Sequence, residues 1–463
     1  MDTEITKLSL NSLPTDLDYE DFISAHLLLG GYTLDRSIHE KVEGAGEIFE
    51  VDIITHQYEE KADKRRLVEI KSKGWDLNDV FKIGGRLRYL GVESGAFVVQ
   101  QKIDEKKFAS RQTSMRNRMD VSLIYAGKKA PEDTKLDLTE LYDDFGIAEI
   151  KQDDGMLESI RFSYIAERCM RSRVSQQKKA EQKAGLESLW DFSNAIQDIS
   201  FYDDDPVQRL HRTFELFKEY NHLSARLDYE LLHGSFPDVD AVTQFESERV
   251  KGYLLNQNDY LPVNYSLYLE HRLRMYIIQS CVEYLVMPKE YQGAFDKFLK
   301  DMSYNALSSN ITLGIEYLAT KCANYRQYPL LWQLFTYMMG GFILTDHFDD
   351  EIELLGSLSG VPKEEVSNCF TVYDILFPLP PGVSWLRDIT FTHIKRLNFM
   401  PAPLMGIGAN FRRGYYRDNK EDKDPGYEEL KKKLSNDYTF VDLLKWNKAA
   451  FDVLKTSGDL KKS

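Results

Sequence analysis

The stretch Phe49–Lys73, FEVDIITHQYEEKADKRRLVEIKSK, decides how this chain is read. Apolar and polar residues alternate over Ile48–Thr55 (IFEVDIIT) and again over Leu67–Lys71 (LVEIK), with a charged spacer between the two runs. Successive side chains of a strand point to opposite faces. Glu50 and Asp52 therefore share one face and Val51 and Ile53 the other, and in the second run Glu69 and Lys71 stand opposite to Val68 and Ile70. A turn centred near Glu60 and Lys61 makes the pair an antiparallel hairpin in which Asp52 faces Glu69, and directly opposed residues share a face of the sheet. A slip of one residue would set Asp52 against Ile70 and part the two carboxylates.

Around this hairpin, Gly95–Gln101 (GAFVVQQ) and Val121–Ala126 (VSLIYA) read as two further strands. Asp18–Leu29 has a capping Asp, an acidic first turn with Glu20 and Asp21, apolar Phe22, Ile23, Leu27 and Leu28, and a Gly30-Gly31 stop, which together predict a helix. Asp76–Leu90 predicts a second helix, weakened by Gly84 and Gly85. The expected order is helix, hairpin, helix, strand, helix, strand: an α/β N-terminal domain, a mixed sheet flanked by helices, over residues 1–135. Residues 136–157 read as a linker. Beyond about Glu149 the strand signals fade. Helical spacing takes over in Ser159–Gly185, Leu186–Ile199, Val207–Leu232, Leu267–Met287, Phe295–Leu307, Leu313–Met338 and Phe440–Leu454, so residues 158–463 are expected to form a mostly α-helical C-terminal region. The prolines and glycines between Phe377 and Arg417 predict irregular loop.

Composition bounds what such a chain can do. Its 463 residues suggest two to four domains, and 43% apolar residues suffice for sizeable cores. The N-terminal segment is polar, and the longest apolar run, Pro329–Leu344, is interrupted by Gln333 and is too short to span a bilayer. Cys169, Cys281, Cys322 and Cys369 form no CxxC pair, which fits a reducing cytoplasm better than a disulfide framework or a zinc knuckle. The net charge of −15 argues against indiscriminate coating of nucleic acid. Residues 1–135 carry 21 basic and 24 acidic residues, so most of the negative charge lies in the C-terminal two-thirds. Two stretches run the other way, Lys102–Lys129 and Arg161–Lys183. The second can lie beside DNA or join the two domains.

Two carboxylates and a lysine on neighbouring strands suit one chemistry well. Hard oxygen ligands hold Mg²⁺, which keeps waters of its own and lowers the pKa of one, while an ammonium orients that water or stabilises charge on a phosphate. An isolated E-x-K triplet is common by chance. Its weight here comes from Asp52 in the preceding apolar strand and from a helix with an early Glu before both.

These segments, YEDFISAHLLLGGYTLDRSI, FEVDII, LVEIKSKGW and FKIGGRLRYL, resemble the PD-(D/E)xK nuclease superfamily, and within it the Mrr-like restriction endonucleases, over roughly the first 130 residues. The resemblance implies a restriction-endonuclease-like fold in which Glu20, Asp52, Glu69 and Lys71 are the catalytic set and Asp52 and Glu69 hold Mg²⁺, with Mn²⁺ as a substitute. It implies a DNA endonuclease of restriction or anti-phage defence type. An RNA nuclease, or a catalytically silent interaction protein on a nuclease fold, is the alternative. The sequence departs from the Mrr pattern at two points: Gly85 stands where a Gln precedes Tyr89 by four, and Glu50 lies two before Asp52. The helical region carries no such resemblance and is expected to serve recognition, a protein partner or homo-oligomerisation, with no membrane contact.

Three further features carry less. His211, His222 and His233 would line one stripe of a continuous helix, about 16 Å apart, too far for a shared metal. FRRGYYR at Phe411–Arg417 interleaves aromatics with Arg412, Arg413 and Arg417, which suits phosphate contacts and base stacking as well as a plain loop or protein interface. GIGANFRRG lacks the Lys-Ser/Thr ending of a phosphate-binding loop.

Overall fold

The computed structural model describes residues 8–42, 46–102, 104–152, 155–202, 205–220, 223–235, 261–303, 305–338, 348–378 and 461–462. The N-terminal part is a five-stranded sheet in the order β1 (Thr33–Val42), β2 (Gly46–Tyr58), β3 (Asp63–Lys71), β4 (Ser94–Val99) and β5 (Val121–Tyr125). The first three strands are antiparallel and the last two join in parallel, so the sheet is mixed. Helix α1 (Asp16–Leu29) precedes it, α2 (Leu77–Leu90) and α3 (Glu105–Met119) make the two parallel crossovers, and α4 (Thr139–Phe145) follows β5.

The hairpin turns where its spacer predicts. Ile53 pairs with Val68 and the ladder continues to Tyr58 opposite Asp63, closed by a bond from the Glu59 N–H to the Ala62 carbonyl, 2.8 Å. Asp52 lies one residue past the last pair. There its side chain takes over from the ladder, with Oδ2 accepting the Ile70 N–H at 2.6 Å.

Strand β1 is missing from the sequence reading. Its segment TLDRSIHEKV carries too many charges for a simple strand signal, because several of its polar side chains are satisfied inside the protein. As an edge strand it would offer open backbone groups. The Gln333 amide covers part of that edge, accepting from the Leu34 N–H at 2.9 Å and donating to the Leu34 carbonyl at 2.8 Å.

The stretch 136–157, read as a linker, packs against the sheet domain. Leu138, Leu141, Tyr142 and Phe145 are buried, and the Tyr32 hydroxyl donates to the Phe145 carbonyl at 2.6 Å.

The rest is helical: α5 (Gly155–Glu181), α6 (Ala184–Ile196), α7 (Pro206–Tyr220), α8 (Leu223–His233), α9 (Leu261–Val286), α10 (Lys289–Asp301), α11 (Ala306–Lys321), α12 (Tyr328–Met338), α13 (Phe348–Ser359) and α14 (Lys363–Leu376). The expected helix over Leu313–Met338 is broken by a tight turn at Tyr325–Gln327, and the one over Phe295–Leu307 ends at Asp301. Asn305 then caps α11, its side chain accepting the Leu307 N–H at 2.9 Å. His211 and His233 lie on different helices, α7 and α8, and each packs against an aromatic ring. His222, the predicted helix Phe440–Leu454, the FRRGYYR segment with Arg412, Arg413 and Arg417, and nearly all of the predicted loop 377–417 lie outside the described residues.

The two parts are packed as one body, and their buried apolar residues form one cluster from Leu10 to Phe377. The basic stretch Arg161–Lys183 contributes to the join. Arg161 is buried over the Phe22 ring and donates to the Asn11 carbonyl at 2.8 Å, and Arg168 reaches Asp18 at 2.8 Å and Asp21 at 3.0 Å on α1. Among the described residues no helix is long and apolar enough to cross a membrane.

Candidate active site

Four of the sequence-predicted residues meet at one end of β2 and β3. Helix α1 brings Glu20: the Ser72 hydroxyl just after β3 accepts the Asp16 N–H at 2.8 Å, which fixes the first turn of α1 beside the strand end, and Glu20 follows one turn later. Asp21 and Asp18, its neighbours, are taken up in ion pairs, although the Asp21 charge still acts on Glu20. Asp21 is ion-paired with Arg36 and Arg168, and Asp18 with Arg168. The Arg36 guanidinium also stacks 3.6 Å from the Tyr164 ring centroid.

Burial raises the Asp52 carboxyl well above the usual carboxylate range, and the charges of Glu69 and Glu20 add to the effect. Glu20 is pushed up to about 7, first by burial and then by Glu50 and Asp21. Glu69 is buried and its two oxygens are taken, Oε1 by the Lys71 ammonium at 2.9 Å and Oε2 by the Arg86 guanidinium. Burial works against charge on Lys71, but Glu69 and then Asp52 outweigh it and keep it a cation. Glu20, Glu50, Asp52 and Glu69, with Asp21 beside Glu20, thus outnumber the cations that act on them, Lys71, Arg86 and Arg36. Repulsion and desolvation are relieved only when protons or a further cation arrive.

That imbalance suits a bound cation. A donor set made of carboxylate oxygens suits a hard divalent ion, and Mg²⁺ needs only one or two carboxylates beside water and phosphate. Two three-residue groupings with closer donor atoms occur among the described residues: His39–Glu47–Glu50, which shares Glu50 with the site, and His56–Asp63–Glu283. The second is already neutralised. His56 bonds Asp35 at 2.8 Å and Asp63 at 2.9 Å, and these acids outweigh its burial to hold the imidazole up at about 10, while Arg209 pairs with Glu283 at 3.2 Å. A protonated imidazole is not a ligand. In the first grouping Glu47 is solvent-exposed and Glu50 half-buried on the β1–β2 hairpin, and both lie against the His39 ring.

No family model, curated protein or solved structure matches the chain. What can be said of the site therefore rests on its own geometry.

Sequence reasoning missed Arg86 and the full part of Glu50. Arg86 follows Gly85 on α2, and its guanidinium lies 5.6 Å from the Phe49 ring centroid, whose other neighbour is Tyr89 at 5.5 Å. The available signal was an arginine at the position next to the departure from the Mrr pattern. Glu50 was placed on the Asp52 face by alternation, but only the approach of α1 brings it up to Glu20.

Proposed function

We propose that the protein is a metal-dependent nuclease of the PD-(D/E)xK type, hydrolysing phosphodiester bonds, with DNA as the favoured substrate and a restriction or anti-phage role. The observation that carries this reading is the meeting of Asp52 and Glu69, with Lys71, where β2 and β3 part, at a point where burial and two neighbouring acids outweigh Lys71 and destabilise Asp52 as an anion.

Asp52 and Glu69 would hold Mg²⁺ or Mn²⁺, which when bound neutralises phosphate charge and makes a coordinated water more acidic. The Lys71 ammonium, steadied on Glu69, orients the attacking water or takes up charge developing on the phosphate oxygens. Glu20, raised towards neutrality, is suited to take up or release a proton beside them. Asp18 and Asp21, tied to α5 through Arg168, link the position of Glu20 to the helical region, which would serve recognition, a protein partner or self-association.

Incubating the purified chain with plasmid DNA and with RNA, each in Mg²⁺ or in EDTA, tests the reading. Mg²⁺-dependent DNA cleavage supports it and cleavage of RNA alone moves the substrate class. Loss of neither polymer would leave a nuclease fold used for binding, and overturn the activity.

A further inference from the structure

Both oxygens of Glu69 are occupied by cations of the chain itself, Lys71 on one and Arg86 on the other. A divalent ion that takes Glu69 must either share an oxygen with one of these cations or displace it. The two differ in what else holds them. Lys71 is also attracted by Asp52, whereas the acid hydrogen-bonded to Arg86 among the described residues is Glu69 alone. Arg86 is therefore the one to be displaced, and its anchorage lets it move without loss of position. Helix α2 is fixed at its start by a reciprocal cap between Asp76 and Asp79, and at its middle by close packing, since a Cβ on Gly84 would meet the Met119 Cε at 2.2 Å. The planar guanidinium above Phe49 keeps two donor edges suited to phosphate oxygens.

Resting on the nuclease reading, we propose that Arg86 is a substrate-positioning residue. It guards Glu69 against metal in the free protein, and when the ion takes Glu69 it passes to a non-bridging oxygen of the phosphodiester. Metal loading and substrate engagement are thereby coupled, because each makes the other's partner available.

The test uses the full chain as wild type, Arg86→Gln, Arg86→Lys and Asp52→Ala, with circular dichroism to confirm folding. Mn²⁺ affinity is read by electron paramagnetic resonance, duplex binding is read in Ca²⁺, and single-turnover cleavage is read in Mg²⁺. Arg86→Gln should bind Mn²⁺ at least about threefold more tightly, because the guanidinium no longer competes for a Glu69 oxygen in a largely buried ion pair. It should bind duplex DNA more weakly and cleave about 10²-fold more slowly. Arg86→Lys should recover part of the duplex binding. Mn²⁺ affinity that is unchanged or weaker in Arg86→Gln overturns the inference and reduces Arg86 to a support for Glu69. If wild type binds no Mn²⁺ that Asp52→Ala removes, the metal-site reading itself fails and this inference with it.

Discussion

Strands β2 and β3 carry charge at both ends, and the two ends handle it in opposite ways. At the hairpin end, His56 lies between Asp35 and Asp63, and Arg209 of α7 meets Glu283 of α9. Asp35, His56 and Glu283 are almost fully buried, Arg65 adds a third cation that acts on Asp63, and the cavity left among them, about 20 Å³, holds little more than one water. At the other end Glu20, Glu50 and Asp52 are half-buried, acids outnumber cations, and Lys71 is partly open to solvent. Buried ion pairs hold two layers in one register when each charge is matched. An excess of one sign in a partly open site is costly to the free protein and useful only when something arrives to relieve it. The first end is a joint and the second a site.

Removing a charge from each end should therefore have opposite consequences. Asp52→Ala should reduce cleavage to background while leaving thermal stability unchanged or raised, because it relieves repulsion with Glu69 and Glu20. Lys71→Ala should slow cleavage about 10²- to 10³-fold and keep Mn²⁺ binding. Asp52 is a cleaner probe than Glu69, whose loss would strand both Lys71 and Arg86. Retained cleavage in Asp52→Ala, read on plasmid DNA, would erase the distinction between the two ends.

Arg209→Ala at the joint should destabilise the protein by about 3–5 kcal/mol, since it leaves Glu283 buried without its cation. Chemical denaturation would measure it, and cleavage below the melting point should persist. A loss under about 1 kcal/mol would mean the network is solvated in solution.

The smallest effect concerns pH. The His56 value near 10 lies above its ordinary 6.5, so its contribution to stability is complete below 6.5 and is lost as pH rises through about 10. Asp63, held below its ordinary 3.8 because His56 outweighs its burial, contributes above 3.8 and loses that contribution as pH falls through its lowered value. Thermal melts should show stability declining from pH 6.5 towards 10, and His56→Gln should flatten that decline. An equal slope in both proteins would assign it to other groups.

Much of the sheet was legible because the signals were local. The β2–β3 register followed from alternation and the length of one charged spacer, and that register alone brings Asp52 beside Glu69. The two further strands showed as β-branched runs, the helix over Asp76–Leu90 was legible in spite of Gly84 and Gly85, and the second crossover followed only from the order of elements. Strand β1 did not, since Asp35 and Arg36 look like surface residues until the partners that bury them are known. Gln333 was visible only as a flaw in an apolar run, and its use, 299 residues away at Leu34, belongs to no local pattern.

The sequence by itself determined that β2 and β3 pair, which of their faces carries the carboxylates and which residue types gather there, because period and spacing are properties of neighbours along the chain. Only the tertiary structure decided which charges are matched. Arg86 closes on Glu69 because α2 packs on the sheet beside β4, with Gly84 against the Met119 side chain, Glu20 meets Glu50 because Ser72 anchors α1, and His56 stays cationic because it is held between two acids in a layer closed over by α7 and α9. Charge balance at a point depends on everything that folds to that point, and in this protein the elements that meet there lie far apart along the chain.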